Sequence, residues 1–425
     1  MSISRIASVG LCLALAQAAQ AQQPPAPERA RDTVSALVLT AGEADGERRR
    51  RQLINALALD FGFTTFNLGG GLLFDVAAYA QDSTAFEQIQ PTNMYKLRDA
   101  RILINGRLAT RRPITWQTGI MYDQTNEKWL FRQTGLMVAV PEISSNFFVG
   151  RAKEGFSLNK VMVGYDGWSM ERMPFTDATI PLLADGIKWL GSIKDNHYFW
   201  NLGLFTDWLS EGQTFSHYDH QFVLRAGWVP LISDSVGTLL HIGLNFRTGK
   251  PNADSLHLKS KPESFTAPNF IDTGKFASSS AQTFGPEIYF RPSNLLVGGE
   301  YYWQRASTAD FGDVWFHGGE FVIAWLTTGE TRSYNTVGHY FRSVSPNATV
   351  IQKGPGAWET VVKITYADLV NGGVDGGIFW RITPMINWHL TDNLRLEMAY
   401  GYSVLNRFGM KGDTQFFQSR LQMQL

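Results

Sequence analysis

Apolar and polar residues alternate, position by position, through the C-terminal two-thirds of this chain. Leu394, Leu396, Met398, Tyr400, Tyr402 and Val404 interleave with Arg395, Glu397, Ala399, Gly401 and Ser403. Leu240, Ile242, Leu244 and Phe246 alternate in the same way with His241, Gly243, Asn245 and Arg247. A β-strand turns successive side chains to opposite faces, so each such segment has an oily wall and a wet wall. The pattern predicts strands beginning near Leu68, Lys96, Ile114, Trp129, Asn146, Gly186, Tyr198, Gln221, Thr238, Phe284, Leu295, Val314, Ala357, Ile378, Leu394 and Thr414. That is about sixteen, an even number.

The connections alternate as well. Tight turns are expected at Arg111-Arg112-Pro113, Pro141 to Ser144, Asp195-Asn196-His197, Ser233-Asp234-Ser235, Pro292-Ser293-Asn294 and Thr391-Asp392-Asn393. Between them fall longer loops, notably about 155–185, 208–220 and 248–283. Short turns at one end and long loops at the other are the layout of a membrane-spanning barrel. The stretch from Thr328 to Gly356 breaks this rule, being long at the short-turn end.

Which wall faces a core decides the fold class. A soluble β-sandwich or β-helix would bury the oily parity behind compact aliphatic residues. Here that parity carries Trp189, Trp200, Trp208, Trp228, Trp325, Trp388, Tyr400 and Tyr402 near strand ends. Aromatic girdles of this kind mark the two interfaces of a lipid-embedded barrel. The expected fold is all-β: a transmembrane antiparallel β-barrel of about sixteen strands over residues 64–425.

Composition agrees with this. The 425 residues carry 38 basic and 38 acidic groups, so no bulk attraction to nucleic acid is indicated. No apolar run reaches the roughly 18–20 residues that a membrane helix needs. The N-terminus reads as a signal peptide over residues 1–21: Arg5, an apolar stretch from Ile6 to Ala16, then Ala19-Gln20-Ala21 as a cleavage site. The single cysteine, Cys12, lies inside it, so the mature chain has none. Residues 22–63 are expected to be a periplasmic segment, Pro-rich at first, then a short helix with Leu53, Ile54 and Leu57 on one face behind the run Arg48 to Arg51.

The wet parity carries both signs of charge. Its cations are Arg101, Arg107, Arg151, Lys153, Arg225, Arg247, Lys363, Arg381 and Arg395; its acids are Asp75, Glu287, Glu300, Glu320, Glu359 and Glu397. Charges of opposite sign on facing strands can pair and cancel much of the field. No His-Glu-x-x-His, Walker loop or Gly-x-Ser-x-Gly appears, and His317, His339 and His389 stand alone, so no catalytic residue, metal site or cofactor is expected. A hydrolytic barrel, or a structural one plugged by its loops, is the alternative class.

Several segments resemble the phosphate-selective porin family, O and P type. Leu97-Arg98-Asp99-Ala100-Arg101-Ile102-Leu103-Ile104-Asn105-Gly106 is similar to that family's second strand. Val149-Gly150-Arg151-Ala152-Lys153-Glu154-Gly155-Phe156-Ser157-Leu158-Asn159-Lys160 resembles the approach to its third loop, and Met170-Glu171-Arg172 a segment further along it. Leu326-Thr327-Thr328-Gly329-Glu330 and Gly356-Ala357-Trp358-Glu359 resemble a late motif pair. The resemblance implies a homotrimer of sixteen-stranded barrels in the bacterial outer membrane, among lipid and lipopolysaccharide. It implies an inward-folded third loop, a long periplasmic turn tucked toward the lumen, and a basic lining that passes small anionic solutes such as phosphate. It adds Lys160 and Arg172 to the candidate anion-binding residues. Two departures remove positive charge: the family's Arg-Arg is Arg98-Asp99 here, and the stretch Ser307 to Val314 lacks lysine. The expected channel is therefore an anion pore of weak or moderate preference, with a general low-selectivity porin as the alternative.

Overall fold

The computed structural model describes residues 58–123, 127–193, 195–209, 216, 218–233 and 237–425. The signal peptide, the Arg48–Arg51 run and the expected helix lie outside these residues, as do most of the 208–220 loop and the Ser233-Asp234-Ser235 turn.

Sixteen antiparallel strands form one sheet that closes on itself. They are β1 (Thr65–Gln81), β2 (Met94–Leu108), β3 (Ile114–Asp123), β4 (Lys128–Phe131 and Thr134–Val140), β5 (Ser145–Ala152), β6 (Ala184–Ile193), β7 (Tyr198–Thr206) and β8 (Tyr218–Ser233). They continue as β9 (Thr238–Pro251), β10 (Ser280–Arg291), β11 (Leu295–Thr308), β12 (Gly312–Leu326), β13 (Ala357–Asn371), β14 (Val374–His389), β15 (Leu394–Arg407) and β16 (Met410–Gln424). Closure pairs β1 with β16, in register from Gly71 opposite Gln424 to Gln81 opposite Thr414. A closed sheet leaves no unpaired edge, which lipid would not tolerate. Several strands begin a few residues before the alternation does. The leading residues there, such as Ser280-Ala281-Gln282 and Asp375-Gly376-Gly377, are small or polar, so they carry no apolar parity.

The wall assignment follows the alternation. On β12, Trp315, Phe321, Ile323 and Trp325 point outward and are exposed, while Val314, Phe316, Glu320 and Val322 point inward and are buried. The connections depart from a simple layout after β10. There the tight hairpins at 309–311, 372–373 and 408–409 sit at the long-loop end, and the long connection 327–356 sits at the other.

The barrel is not an open tube. The connection 153–183 turns inward at Ser157, whose φ of 63° is uncommon for a residue with a side chain. Its first turn is held by carboxylates of the inner wall. Leu158 donates its N–H to Glu287 at 2.7 Å, Asn159 donates to Glu300 at 2.7 Å, the Asn159 side chain donates to Glu320 at 2.6 Å, and the Ser157 hydroxyl donates to Glu300.

Two apolar clusters then fill the space behind β7–β16. One joins Phe156, Met173, Phe175 and Ile180 of this connection to Leu256, Leu258, Phe270 and Ile271 of the 252–279 loop and to inward Phe316, Phe379 and Phe416. The other joins Leu158, Met162, Trp168 and Met170 to Tyr334 and Phe341 of the long turn and to inward Val322, Val361 and Met385. Burying this much apolar surface, at roughly 25 cal/mol per Å², pins all three inserts to the wall. The inner face of β1–β4 is left uncovered only toward the short-turn end, where Asn67 and Gln117 are half-buried and Asn105 and Arg107 are exposed; further along, Leu73, Asp75, Asp99 and Arg101 are buried.

A candidate anion constriction inside the barrel

The inner wall of β1–β4 and the middle of the 153–183 connection enclose a polar cavity. Five guanidinium groups line it, those of Arg98, Arg101, Arg132, Arg172 and Arg420, with two carboxylates, Asp99 and Glu171. Local irregularities in the strands aim two of these arginines inward.

The register of β1 against β2 slips between Leu73 and Phe74, which face Asp99 and Leu97 and leave Arg98 as the extra residue of a bulge. A bulge re-aims a side chain that strict alternation would send elsewhere. Here Arg98 reaches the inserted connection and holds Glu171 in a two-pronged ion pair at 2.7 and 3.1 Å. Arg132 lies in the break between the two pieces of β4, where its N–H bonds the Gly119 carbonyl at 2.7 Å. Arg101 follows the expected alternation, pairs with Asp99 and lies over the Tyr165 ring, 4.3 Å from its centroid. Tyr165 fits there because Gly71 has no side chain; a Cβ would fall 2.5 Å from the ring.

Charge is unevenly spent within the cavity. Arg420 bonds both oxygens of Asp75 at 2.6 and 2.7 Å and also Glu171 at 2.6 Å. Arg172 donates to the carbonyls of Asn159 and Met162 at 3.1 and 2.9 Å. Arg132 is only 4% exposed, and its Nε and Nη1 have no hydrogen-bond partner among the described residues. Its nearest carboxylate oxygen, on Asp99, is 3.9 Å away.

The loop groups register this field. Burial pushes the Lys153 ammonium well below the usual lysine range, and Arg172, Arg132 and Arg101 push it further. Burial also lowers Lys160 to about 8, against the pull of Asp177. Burial alone would raise Glu171, yet Arg98 and Arg420 overcome it and hold the carboxyl well below its ordinary range.

The sequence-predicted candidates separate into three groups. Arg101 and Arg172 line the cavity, and Arg107 lies beyond it beside Asn105, Thr115 and Gln117 at the short-turn end. Lys153 and Lys160 flank it on the connection: Lys153 donates to the Met162 carbonyl, and Lys160 donates to that of Thr176 at 3.2 Å.

The remaining expectations need correction, because Arg151, Arg225, Arg247, Lys363 and Arg381 do not face open water. Arg151 is fully buried against Asp185 at 2.7 Å. Arg225 pairs with Glu287 at 2.7 Å and donates to the His339 carbonyl of the long turn at 2.7 Å. Arg247 pairs with Glu154 at 2.8 Å, and Lys363 with Glu263 and Glu320 at 2.9 and 3.2 Å. Arg381 is buried among Thr383, Gln418 and the Pro262 carbonyl. A cation stripped of water must be satisfied by carboxylate, carbonyl or side-chain oxygens. Arg151 finds them within the wall, on Asp185 of β6 and the Phe131 carbonyl of β4. Arg225, Arg247, Lys363 and Arg381 take partners from the inserted segments and so anchor them. Arg395 does the same, beside Glu397 and the Gly167 carbonyl.

The sequence reading did not nominate Arg98, Arg132 or Arg420. The first two sit at strand irregularities that alternation cannot locate, although a cation beside the broken pattern at Phe131-Arg132-Gln133 is a usable signal. Arg420 lies on the inward parity of β16 opposite Asp75, and pairing the two ends of the barrel would have found it.

Known proteins share this architecture. The anion-selective porin from Comamonas acidovorans superposes with a TM-score of 0.52 at 10% identity, over 85% of this chain and 100% of that one. The outer membrane channel DcaP of Acinetobacter baumannii gives 0.54 at 6% identity, over 86% and 99%. OmpT of Vibrio cholerae gives 0.53 at 9% identity, over 87% and 100%. These likenesses concern the fold. An uncharacterised protein of Caulobacter vibrioides is 26% identical over 265 residues, which make up 60% of this chain and 52% of the relative. This chain thus spans about half the length of the curated relative it matches. The family description "phosphate-selective porin O and P" matches residues 66–425. With that match covering nearly the whole described barrel, the chain belongs to the phosphate-selective porin O and P family and is an outer-membrane porin.

Proposed function

We propose that this porin admits small anions by passive diffusion, with a moderate preference over cations and without strict phosphate specificity. The excess of guanidinium over carboxylate groups around the cavity carries this reading. A pore selects by lining charge and must hold its ion weakly enough to release it. Asp99 and Glu171 temper the field, which favours passage over tight capture and argues against a dedicated phosphate filter. Further cations stand on either side of the cavity: Lys96 and Lys261 flank Phe265, and Arg107 lies toward the short-turn end. Export by a cleaved leader over residues 1–21, a periplasmic segment over 22–63, and a homotrimer embedded among lipid and lipopolysaccharide complete the proposal. A trimer form is described for OmpT of Vibrio cholerae, whose fold is similar.

The test is the reversal potential of the purified protein in a planar bilayer under a KCl gradient. A chloride-favouring potential supports the reading, and a potassium-favouring one rejects it. Arg132→Glu should move the potential toward potassium.

A further inference from the structure

The cavity is amphiphilic as well as basic. Met121 and Leu182 reach it half-exposed, and Val163 is 40% exposed in its wall. Water-facing apolar groups give nothing to a small hydrated inorganic ion, but they do stabilise an apolar body beside a charge. Phe265 extends this character outward: its half-buried ring lies 4.2 Å from the Arg98 guanidinium.

The charges in the cavity also have a shape. Arg98 already grips a carboxylate, that of Glu171, through two parallel bonds, the geometry in which a planar fork meets a planar carboxylate. Arg132 presents to the same space a buried guanidinium two of whose nitrogens make no hydrogen bond among the described residues, Nη1 lying 3.9 Å from Asp99. Asp99 and Glu171 stand nearby and repel a second negative charge on any solute.

Resting on the anion-channel reading above, we infer that the constriction recognises organic monocarboxylates that carry a compact apolar or aromatic body, in preference to orthophosphate. The carboxylate meets Arg132, and the body lies against Met121, Val163 and Leu182. Acetate has the same charged group without the body, so it isolates the apolar contribution.

The experiment measures block of chloride current through the bilayer-reconstituted protein by benzoate, acetate and orthophosphate. Benzoate should half-block at a concentration roughly tenfold below either of the others, as expected for burying part of an aromatic body. Val163→Asn and Met121→Asn should each shrink the advantage of benzoate over acetate. Anion-selective current with equal block by benzoate and acetate overturns this inference and leaves the channel reading standing. Stronger block by orthophosphate than by benzoate overturns it as well. Current without anion preference rejects the channel reading, and this inference with it.

Discussion

Arg420 on the last strand and Asp75 on the first face each other across the seam that closes the barrel, and the guanidinium takes both carboxylate oxygens, at 2.6 and 2.7 Å. The same guanidinium also holds Glu171 at 2.6 Å. One side chain thus fastens the chain ends together and ties the inserted connection to them.

Replacing Asp75 with Asn should be costly. Removing one partner of a buried ion pair costs about 3–5 kcal/mol where the other charge is left uncompensated, and Glu171, which stays on Arg420, should hold the loss below that range. Urea unfolding of the reconstituted barrel, with Arg420→Met and the double variant closing a cycle, would measure it. The double variant should recover part of the loss, because no stranded charge remains.

The latch on the inserted connection rests on Glu300, which accepts from Asn159 at 2.7 Å, from Tyr289 and Tyr302 at 3.0 Å each, and from the Ser157 hydroxyl. Glu300→Ala strands these donors and should loosen the connection. Single-channel records should show higher conductance and more current flicker than the native protein. An unchanged, quiet record would mean that the apolar clusters alone hold the connection.

Anion preference should fall as pH rises. Burial lowers both Lys160 and Lys261 to about 8. An amine is charged below its pKa and neutral above it, so both cations are present at pH 7 and mostly lost by pH 9. Reversal potentials across this range should drift toward potassium as the pH increases. Lys160→Met combined with Lys261→Met should flatten the drift.

The lipid-facing wall gives a separate test of sidedness. Ile323 is 39% exposed on the outward parity of β12. Ile323→Arg should destabilise the membrane-inserted barrel, by less than the roughly 2–4 kcal/mol that a basic side chain costs at the bilayer midplane, because Ile323 is one outward position from the girdle residue Trp325. The neighbouring inward positions should show no such depth-dependent penalty.

Much of this architecture can be read from the chain before any coordinates are known. Alternation such as that from Leu394 to Val404 carries the strand count and both walls, because pleating ties parity to face. The site is less legible. Arg151 and Arg101 share the inward parity, yet one is sealed against Asp185 and the other borders the cavity. Parity says which way a side chain points but not what covers it, and the cover comes from inserts distant in sequence. Arg132 was hidden for a different reason: it occupies a strand break, where the period that would reveal it is interrupted.

Two of the inserts meet through Arg332 of the long turn, which donates to the Asp166 carbonyl of the 153–183 connection at 2.7 Å while pairing with Glu359 at 2.6 Å. Segments that would usually be treated as interchangeable parts are therefore joined. A chimera that imports the 153–183 connection from another porin must bring its matching long turn as well. Graft either one alone, and the other loses the surface it was shaped to meet.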